Sequence, residues 1–357
     1  MRYYLKTYGC QMNVSDSERI TSVLESLNFK EVPEKKKADL VIINVCSVRQ
    51  SAIDRVYGLI RNLAKLNKKI ILTGCILPID KKKLKDKVDL IFEIKDLPKL
   101  PDKLTKIFRL NRFSGISFSK FYLAITPKHQ SFSYAYVPIS TGCDNFCSYC
   151  VVPYTRGKEN YRPAKEIISE VKKLIKRGYK EIILLGQNVN SYYSFIKIKK
   201  INFPKLLKIL NDIPGNFYLQ FLTSHPKDVS NELIEAIAKC DKIRKSLHLP
   251  IQSGDNEILK KMNRGYTKEK YKELIGKIRK KIPNISISTD IIVGFPEETK
   301  KQFENTVKLC KEIKFDKAYI AQYSSRFGTA ASRLKDNVSL KEKKQRWKIL
   351  DDLINKK

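Results

Sequence analysis

The sequence predicts an α/β fold of two parallel-sheet domains, on three observations. Short apolar runs that fit buried strands alternate with longer amphipathic stretches that fit helices. The 357 residues exceed what one small core holds. With 42% hydrophobic and 10% aromatic residues, the chain has apolar material for two cores and does not have the composition of a disordered segment. We expect residues 1–125 to form a small parallel αβ sheet, residues 132–345 a partial (βα)6 TIM-like barrel, and residues 346–357 a basic tail, with a basic helix read at 340–354.

In the first domain, residues 3–8 read as a strand, and 15–27 as a helix with Asp16 and Glu18 in its first turn. Residues 39–45, apolar but for Asp39 and Asn44, read as a strand covered on both faces. A helix follows at 50–66, with Ile53, Val56, Leu59, Ile60 and Leu63 on one face, then strands at 69–73 and 88–92 and a helix at 98–108. Right-handed crossovers join such units into a parallel sheet. Residues 110–133 lack a sustained period and read as a linker with some strand character. A second series then places strands at 134–139, 181–185, 216–222, 245–249, 284–293 and 317–322, with helices at 164–177, 203–211, 231–238, 268–280 and 300–313. Six strands with helical crossovers suit an open barrel whose chemistry sits in the loops after the strands.

The formal net charge is +34, with Lys+Arg 71 against Asp+Glu 37. A balance that basic favours a polyanionic partner, although lysine-rich coding bias produces the same composition. The longest apolar runs, at 40–45 and 182–185, are far too short to span a bilayer, and no charged-then-apolar leader precedes the first strand. A soluble, cytoplasmic, monomeric protein that does not engage membranes is expected.

The chain has eight cysteines, and in a cytoplasmic protein their spacing matters more than their number. Cys10, Cys46 and Cys75 each follow a predicted strand, so three distant thiols converge on one sheet edge, where ligands of open α/β sheets bind. A shared iron–sulfur cluster accounts for that placement; simple packing of small buried side chains is the alternative. Cys143, Cys147 and Cys150 form C-x3-C-x2-C in the first loop of the barrel. Three thiolates hold three corners of a 4Fe–4S cubane and leave one iron open to the amino and carboxylate groups of S-adenosylmethionine. Structural zinc would want a fourth Cys or His nearby. Cys240 and Cys310 fall on helical patterns and read as packing residues.

Polar residues after the barrel strands are candidate cofactor-binding groups: Gln187, Asn188 and Asn190 after the second, Gln252 with Ser253 after the fourth, and Asp290 near the end of the fifth. Helix capping is the competing reading for the amides. Arg156, near the cysteine loop, suits an anion, and His225 could meet substrate or serve a turn. His248 reads as a satisfied rim histidine, and Tyr323 and Arg326 suit a splayed-out base.

Nine stretches in order carry a family resemblance. They are Gly9-Cys-Gln-Met-Asn-Val-Ser-Asp-Ser-Glu18, Asn44-Val-Cys-Ser-Val-Arg49, Thr73-Gly-Cys75, residues 142–157, Leu184-Leu-Gly-Gln-Asn-Val-Asn190, Thr223-Ser-His-Pro226, His248-Leu-Pro-Ile-Gln-Ser-Gly254, Met262-Asn-Arg-Gly-Tyr-Thr267 and Ser288-Thr-Asp-Ile-Ile-Val-Gly-Phe-Pro296. Residues 1 to about 345 thereby resemble the radical S-adenosylmethionine methylthiotransferases, specifically their tRNA-adenosine branch. The resemblance implies that Cys143, Cys147 and Cys150 hold the radical-generating 4Fe–4S cluster and that Cys10, Cys46 and Cys75 hold an auxiliary 4Fe–4S cluster tied to the inserted sulfur. It implies use of two S-adenosylmethionines and replacement of the C2 hydrogen of N6-isopentenyladenosine at tRNA position 37 by a methylthio group. Implied partners are that tRNA, an electron donor such as flavodoxin or ferredoxin, and a sulfur or iron–sulfur carrier. Family members usually continue into a C-terminal RNA-binding TRAM barrel, which is expected to be absent from these residues. Gln11-Met12-Asn13 and Ser47-Val48-Arg49 favour the isopentenyl branch over relatives acting on threonylcarbamoyladenosine or on a ribosomal-protein aspartate. A non-catalytic iron–sulfur RNA-binding protein remains the alternative of another class.

Overall fold

A computed structural model describes residues 1–47, 50–109 and 118–356. The chain divides into two compact units, Met1–Phe132 with Val151–Lys158, and Ser133–Cys150 with Glu159–Lys357.

The first unit comprises β1 (Arg2–Thr7), α1 (Gln11–Ser26), β2 (Lys30–Glu31), β3 (Leu40–Cys46), α2 (Gln50–Ala64), β4 (Lys69–Cys75), α3 (Pro78–Leu84), β5 (Leu90–Ile91), α4 (Leu100–Phe108) and the returning helix α5 (Val152–Arg156). Its strands form one parallel sheet in the order β2-β1-β3-β4-β5. The apolar run from Leu40 to Ile43 in β3 has a simple cause. Leu40 and Ile42 enter a core with Ile20 and Leu24 of α1, while Val41 and Ile43 enter another with Ile53, Val56 and Ile60 of α2. Successive strand residues point to opposite faces, and both faces are covered.

Helix α1 starts at Gln11 rather than at residue 15. Asn13, Ser15, Asp16, Ser17, Glu18 and Arg19 on it are all buried, so polarity conceals its inward face from a hydrophobicity pattern. Residues 110–117, part of the expected linker, lie outside the described residues. The rest packs into the first unit: Tyr122, Leu123 and Ile125 join the α1-side core, and Lys128 pairs with Glu25.

The second unit comprises β6 (Tyr134–Pro138), β7 (Ser140–Thr141), β8 (Asn160–Tyr161), α6 (Ala164–Lys176), β9 (Glu181–Leu185), β10 (Tyr193–Ile196), β11 (Lys199–Asn202), α7 (Phe203–Asn211), β12 (Tyr218–Phe221), α8 (Asn231–Lys239), β13 (Ser246–His248), α9 (Asn256–Lys261), α10 (Lys268–Lys281), β14 (Ser286–Val293), α11 (Lys300–Ile313), β15 (Lys317–Gln322) and α12 (Leu340–Ile354). Parallel strands run β6-β9-β12 and β13-β14-β15, and a parallel bridge between Leu219 and Ile243 joins the two sets. The result is a partial barrel of six strands with its helices packed outside.

The basic helix read at 340–354 is α12, and most of residues 346–357, expected as a tail, form its second half. Leu350 and Ile354 are buried, Trp347 Nε1 donates to the Ile320 carbonyl (3.0 Å), and Arg346 pairs with buried Glu298 (2.6 Å). The β10–β11 hairpin was not expected, since its turn, Lys197-Ile198, lacks the usual Gly or Asn. Lys197 itself takes the left-handed conformation (φ 55°). Among the described residues, no helix is long and apolar enough to cross a membrane.

Candidate active site

In the first unit the distant cysteines meet at the carboxyl edge of the sheet. Cys46 and Cys75 end β3 and β4 and are direct register partners, so their side chains lie on the same face. Cys10 caps the start of α1 in extended conformation and is exposed, Cys46 is half-buried and Cys75 is buried. A charge on Cys10 would add to the upward push on the Cys75 thiol.

Buried amides brace this edge. Asn13 Nδ2 donates to Asn44 Oδ1 (3.0 Å) and to the Val45 carbonyl (3.1 Å), and Asn44 Nδ2 donates to the Asn13 carbonyl (2.8 Å) and Ser17 Oγ (2.9 Å). The amide pair requires glycine beside it. A Cβ on Gly9 would lie 2.4 Å from Asn13 Oδ1, and one on Gly74 2.4 Å from Asn44 Oδ1.

Arg156, expected to bind an anion, sits at this same edge. Its Nε donates to Cys75 Sγ (3.0 Å), Nη2 to Asp16 Oδ2 (2.6 Å) and Nη1 to Tyr122 Oη (3.4 Å). Burial disfavours its charge, but Asp16 and then Cys75 more than offset that and hold its pKa well above the usual value. Burial pushes the Cys75 thiol up, and Arg156 beside it pulls the other way. A thiolate at Cys75 thus has a fixed cationic donor. Residues 48 and 49, of the predicted Ser47-Val48-Arg49 signature, lie outside the described residues.

In the second unit, Cys143, Cys147 and Cys150 occupy the loop after β7. That loop is pinned from two sides. Asn263 Nδ2 donates to the carbonyls of Asn145 (3.3 Å) and Phe146 (3.0 Å), Ser148 N–H to the Met262 carbonyl (3.0 Å), and Ala331 N–H to the Ser148 carbonyl (2.7 Å). The Cys150 N–H bonds the Cys147 carbonyl (2.9 Å), curling the last two cysteines into one turn. Asn145 Nδ2 reaches Cys143 Sγ (3.5 Å) and Arg264 Nη1 reaches Cys147 Sγ (3.3 Å). Burial pushes the Cys143 thiol up to about 11. Arg264, which the sequence reading missed, also donates to the Pro250 carbonyl (3.0 Å) and to Tyr266 Oη (2.9 Å). Its only signal was its place in the Met262–Thr267 stretch.

Around the barrel mouth lies a ring of buried polar atoms without protein partners. They include Gln187 Oε1, Asn188 Oδ1 and Asn190 Oδ1 after β9, Ser224 Oγ and His225 Nε2 after β12, and Gln252 Oε1 after β13. The other ends of these groups are fixed. Asn188 Nδ2 bonds Asp228 (2.6 Å), Asn190 Nδ2 bonds the His225 carbonyl (3.4 Å), and His225 Nδ1 accepts the Lys227 N–H (3.3 Å). An imidazole that accepts at Nδ1 carries its proton at Nε2, so His225 offers a donor. Burial, then Arg264 and Lys227, lower the His225 pKa to about 2 and keep the ring neutral. Gln252 holds φ 70°, with its backbone bonded to Asp290 and Ile292 of β14. Orphaned buried acceptors are costly without a ligand, and such strain collects at binding sites.

Asp290 and His248 face each other on β14 and β13 (3.2 Å), with Ser288 Oγ on the other ring nitrogen (3.0 Å). His248 is therefore satisfied. Ser253 Oγ accepts the Asp255 N–H, as a loop-bracing residue does. Tyr323 packs edge-to-face on Phe295, and Cys240 and Cys310 are buried in the barrel core. Among the described residues, no three His, Cys, Asp or Glu groups close on a single metal ion. The donors present fit a larger body: two all-thiol trios, each with one cationic hydrogen-bond donor beside a sulfur.

Residues 137–310 match the Radical SAM superfamily, and residues 2–93 match uncharacterized protein family UPF0004. The chain is 44% identical over 366 residues to the tRNA-2-methylthio-N(6)-dimethylallyladenosine synthase of Carboxydothermus hydrogenoformans, spanning 99% of this chain and 83% of that one. It is 42% identical over 373 residues to the enzyme of that name from Clostridium novyi, at 99% and 81% coverage. The chain belongs to the tRNA-2-methylthio-N(6)-dimethylallyladenosine synthase family. Its fold is similar to that of the radical S-adenosylmethionine methyltransferase TsrM from Kitasatospora setae (TM-score 0.60, 13% identity, 93% of this chain and 77% of that one). It is also similar to the cobalamin-dependent radical enzyme OxsB (TM-score 0.59, 12% identity, 98% and 55%). At those identities the likeness is one of fold. Within this synthase family the Radical SAM match spans the loop carrying Cys143, Cys147 and Cys150, and the UPF0004 match spans Cys10, Cys46 and Cys75.

Proposed function

We propose that this chain replaces the C2 hydrogen of N6-isopentenyladenosine at tRNA position 37 by a methylthio group, in the cytoplasm and as a monomer. The observation that carries the reading is the pair of cysteine trios, each at the carboxyl ends of its own parallel sheet. Cys143, Cys147 and Cys150 would hold one 4Fe–4S cluster, and Cys10, Cys46 and Cys75 a second. When bound, the clusters and S-adenosylmethionine supply the electron, the radical that removes an unactivated aromatic hydrogen, the methyl group and the sulfur.

The chain's own residues do the rest. Asn145 and Arg264 donate to the sulfurs of Cys143 and Cys147, and Arg156 does so at Cys75, the kind of hydrogen bond that tunes a cluster-bound sulfur. The unpartnered oxygens of Gln187, Asn188, Asn190 and Gln252 suit the ammonium, ribose hydroxyls and exocyclic amine of S-adenosylmethionine. His225 Nε2–H offers a neutral donor that stays neutral across the working pH range. Asp290 is partnered by His248, so it would bind a cofactor hydroxyl only by sharing that contact. A reduced flavodoxin or ferredoxin would deliver electrons, and a sulfur or iron–sulfur carrier would renew the auxiliary site.

The test is anaerobic reconstitution with iron, sulfide and a reductant, then incubation with S-adenosylmethionine and isopentenylated tRNA. Mass spectrometry of the digested nucleosides should show the adenosine gaining a methylthio group in place of hydrogen. Unmodified tRNA alongside a modified threonylcarbamoyladenosine or ribosomal protein would reassign the substrate. S-adenosylmethionine left intact would rule out the enzyme.

A further inference from the structure

The β10–β11 hairpin carries side chains that the reading above does not use. It rises from the βα loop that holds Gln187, Asn188 and Asn190, between β9 and α7, and so belongs to the end of the barrel where the strands terminate. Its two faces differ. One anchors it: Ile201 is buried, Ile196 packs against the barrel core, and Ser194 Oγ accepts the Ala164 N–H (3.0 Å) at the start of α6. The other displays Tyr193 and Phe195, two residues apart, with Lys200 directly across from Phe195.

Tyr193 is 42% and Phe195 55% exposed. Their rings meet edge-to-face at 6.2 Å, the Tyr161 ring backs Tyr193 at 4.8 Å, and Lys200 Nζ lies 4.8 Å from the Tyr193 ring centre. The turn adds exposed Lys197 and Ile198, and Lys199 is exposed beside them. Anchoring accounts for the inward face and leaves the outward rings unexplained. Two further exposed phenylalanines of this unit lie in loops at the same end of the strands: Phe146 between the cysteines and Phe327 after β15.

We propose that the outward face of this hairpin binds the single-stranded loop of the RNA substrate. Unstacked bases pack on Phe195 and Tyr193, and Lys197 and Lys200 contact the adjoining phosphates. Exposed aromatic rings interleaved with cations are the complement of unpaired nucleotides, and the net charge of +34 fits the same polyanion. The proposal deepens the function above and rests on it for the identity of the RNA.

The experiment uses the full reconstituted chain, a fluorescently labelled stem-loop RNA with an unpaired loop, and anisotropy over a salt series. Phe195→Ala should weaken binding about fivefold or more, and Phe195→Trp should restore it, as base stacking requires. Lys200→Gln should reduce the slope of log K against log salt by about 0.7, the value for one phosphate of a single strand. A fully paired RNA should not distinguish Phe195→Ala from the wild type. The variants should keep wild-type iron content and RNA-independent cleavage of S-adenosylmethionine, which excludes misfolding as the cause of any loss. Wild-type RNA affinity in Phe195→Ala would overturn the proposal. So would a Phe195→Ala defect confined to anionic phospholipid vesicles, or one that only splits a dimer of the chain. A wild type that binds the loop through the hairpin but leaves isopentenylated tRNA unmodified would sink the function and spare the hairpin. Modification by the wild type with unchanged binding by Phe195→Ala would do the reverse.

Discussion

Arg156 and His225 show how single side chains tune these sites. Arg156 is buried against Asp16 and donates to Cys75 Sγ, so it serves both as a charge partner and as a donor to that sulfur. Arg156→Lys keeps the charge but not the fork that reaches Asp16, Cys75 and Tyr122 together. With the auxiliary cluster bound, losing a hydrogen bond to a coordinating sulfur should lower its reduction potential while iron content holds. Redox titration followed by electron paramagnetic resonance reads this, and an unchanged potential would contradict the role.

His225 makes a prediction about pH. Its folded pKa, about 2, lies far below the ordinary 6.5, so the unfolded chain binds the extra proton between those values. Stability should therefore fall as pH drops below 6.5, at up to about 1.4 kcal/mol per pH unit from this group. His225→Gln should flatten the denaturant-midpoint profile over that window. A profile as steep as that of the wild type would show that His225 is not the neutral, buried group described.

At the scale of elements, the sheet edge depends on glycine at position 74. Its φ is 100°, and an added Cβ would strike Asn44 Oδ1 and the Val45 carbonyl at 2.4 Å. Gly74→Ala should cost well beyond the usual gain of about 0.4–1 kcal/mol from removing a glycine, with the sign reversed. Urea unfolding measures the loss, which should be accompanied by reduced iron uptake at the auxiliary site. Helix α12 makes a second prediction. Leu350 is fully buried against the barrel, so Leu350→Ala should cost about 2–5 kcal/mol, whereas a solvated tail would lose almost nothing.

The elements that could be read from sequence were those with strong local grammar. Strands 181–185 and 317–322 and helices 203–211 and 300–313 were legible to the residue, the helices because Asn202 and Thr299 cap them, Thr299 in a full capping box. Helix α1 was read short because its inward face is polar, and the β10–β11 hairpin was missed because a lysine occupies the left-handed turn position. The placement of Cys10, Cys46 and Cys75 at strand ends and of Cys143, Cys147 and Cys150 in one loop was legible from strand ends and spacing. Their supports were not, since Asn13 with Asn44 and Arg264 with Cys147 meet across 31 and 117 residues of chain. Only the fold makes such pairs neighbours.

At the scale of the whole molecule, the proposed function joins the net charge of +34 to the two thiol trios. On that proposal a polyanionic substrate accounts for the first, and insertion of sulfur at an unactivated C–H calls for a cluster on each trio. The most direct test is the iron and sulfide content of the anaerobically reconstituted protein, compared with a variant in which Cys10, Cys46 and Cys75 are all alanine. The account predicts about eight irons in the wild type and about four in the variant, given one cubane per trio. The variant should still cleave S-adenosylmethionine but insert no sulfur into tRNA. About four irons in both proteins would contradict it.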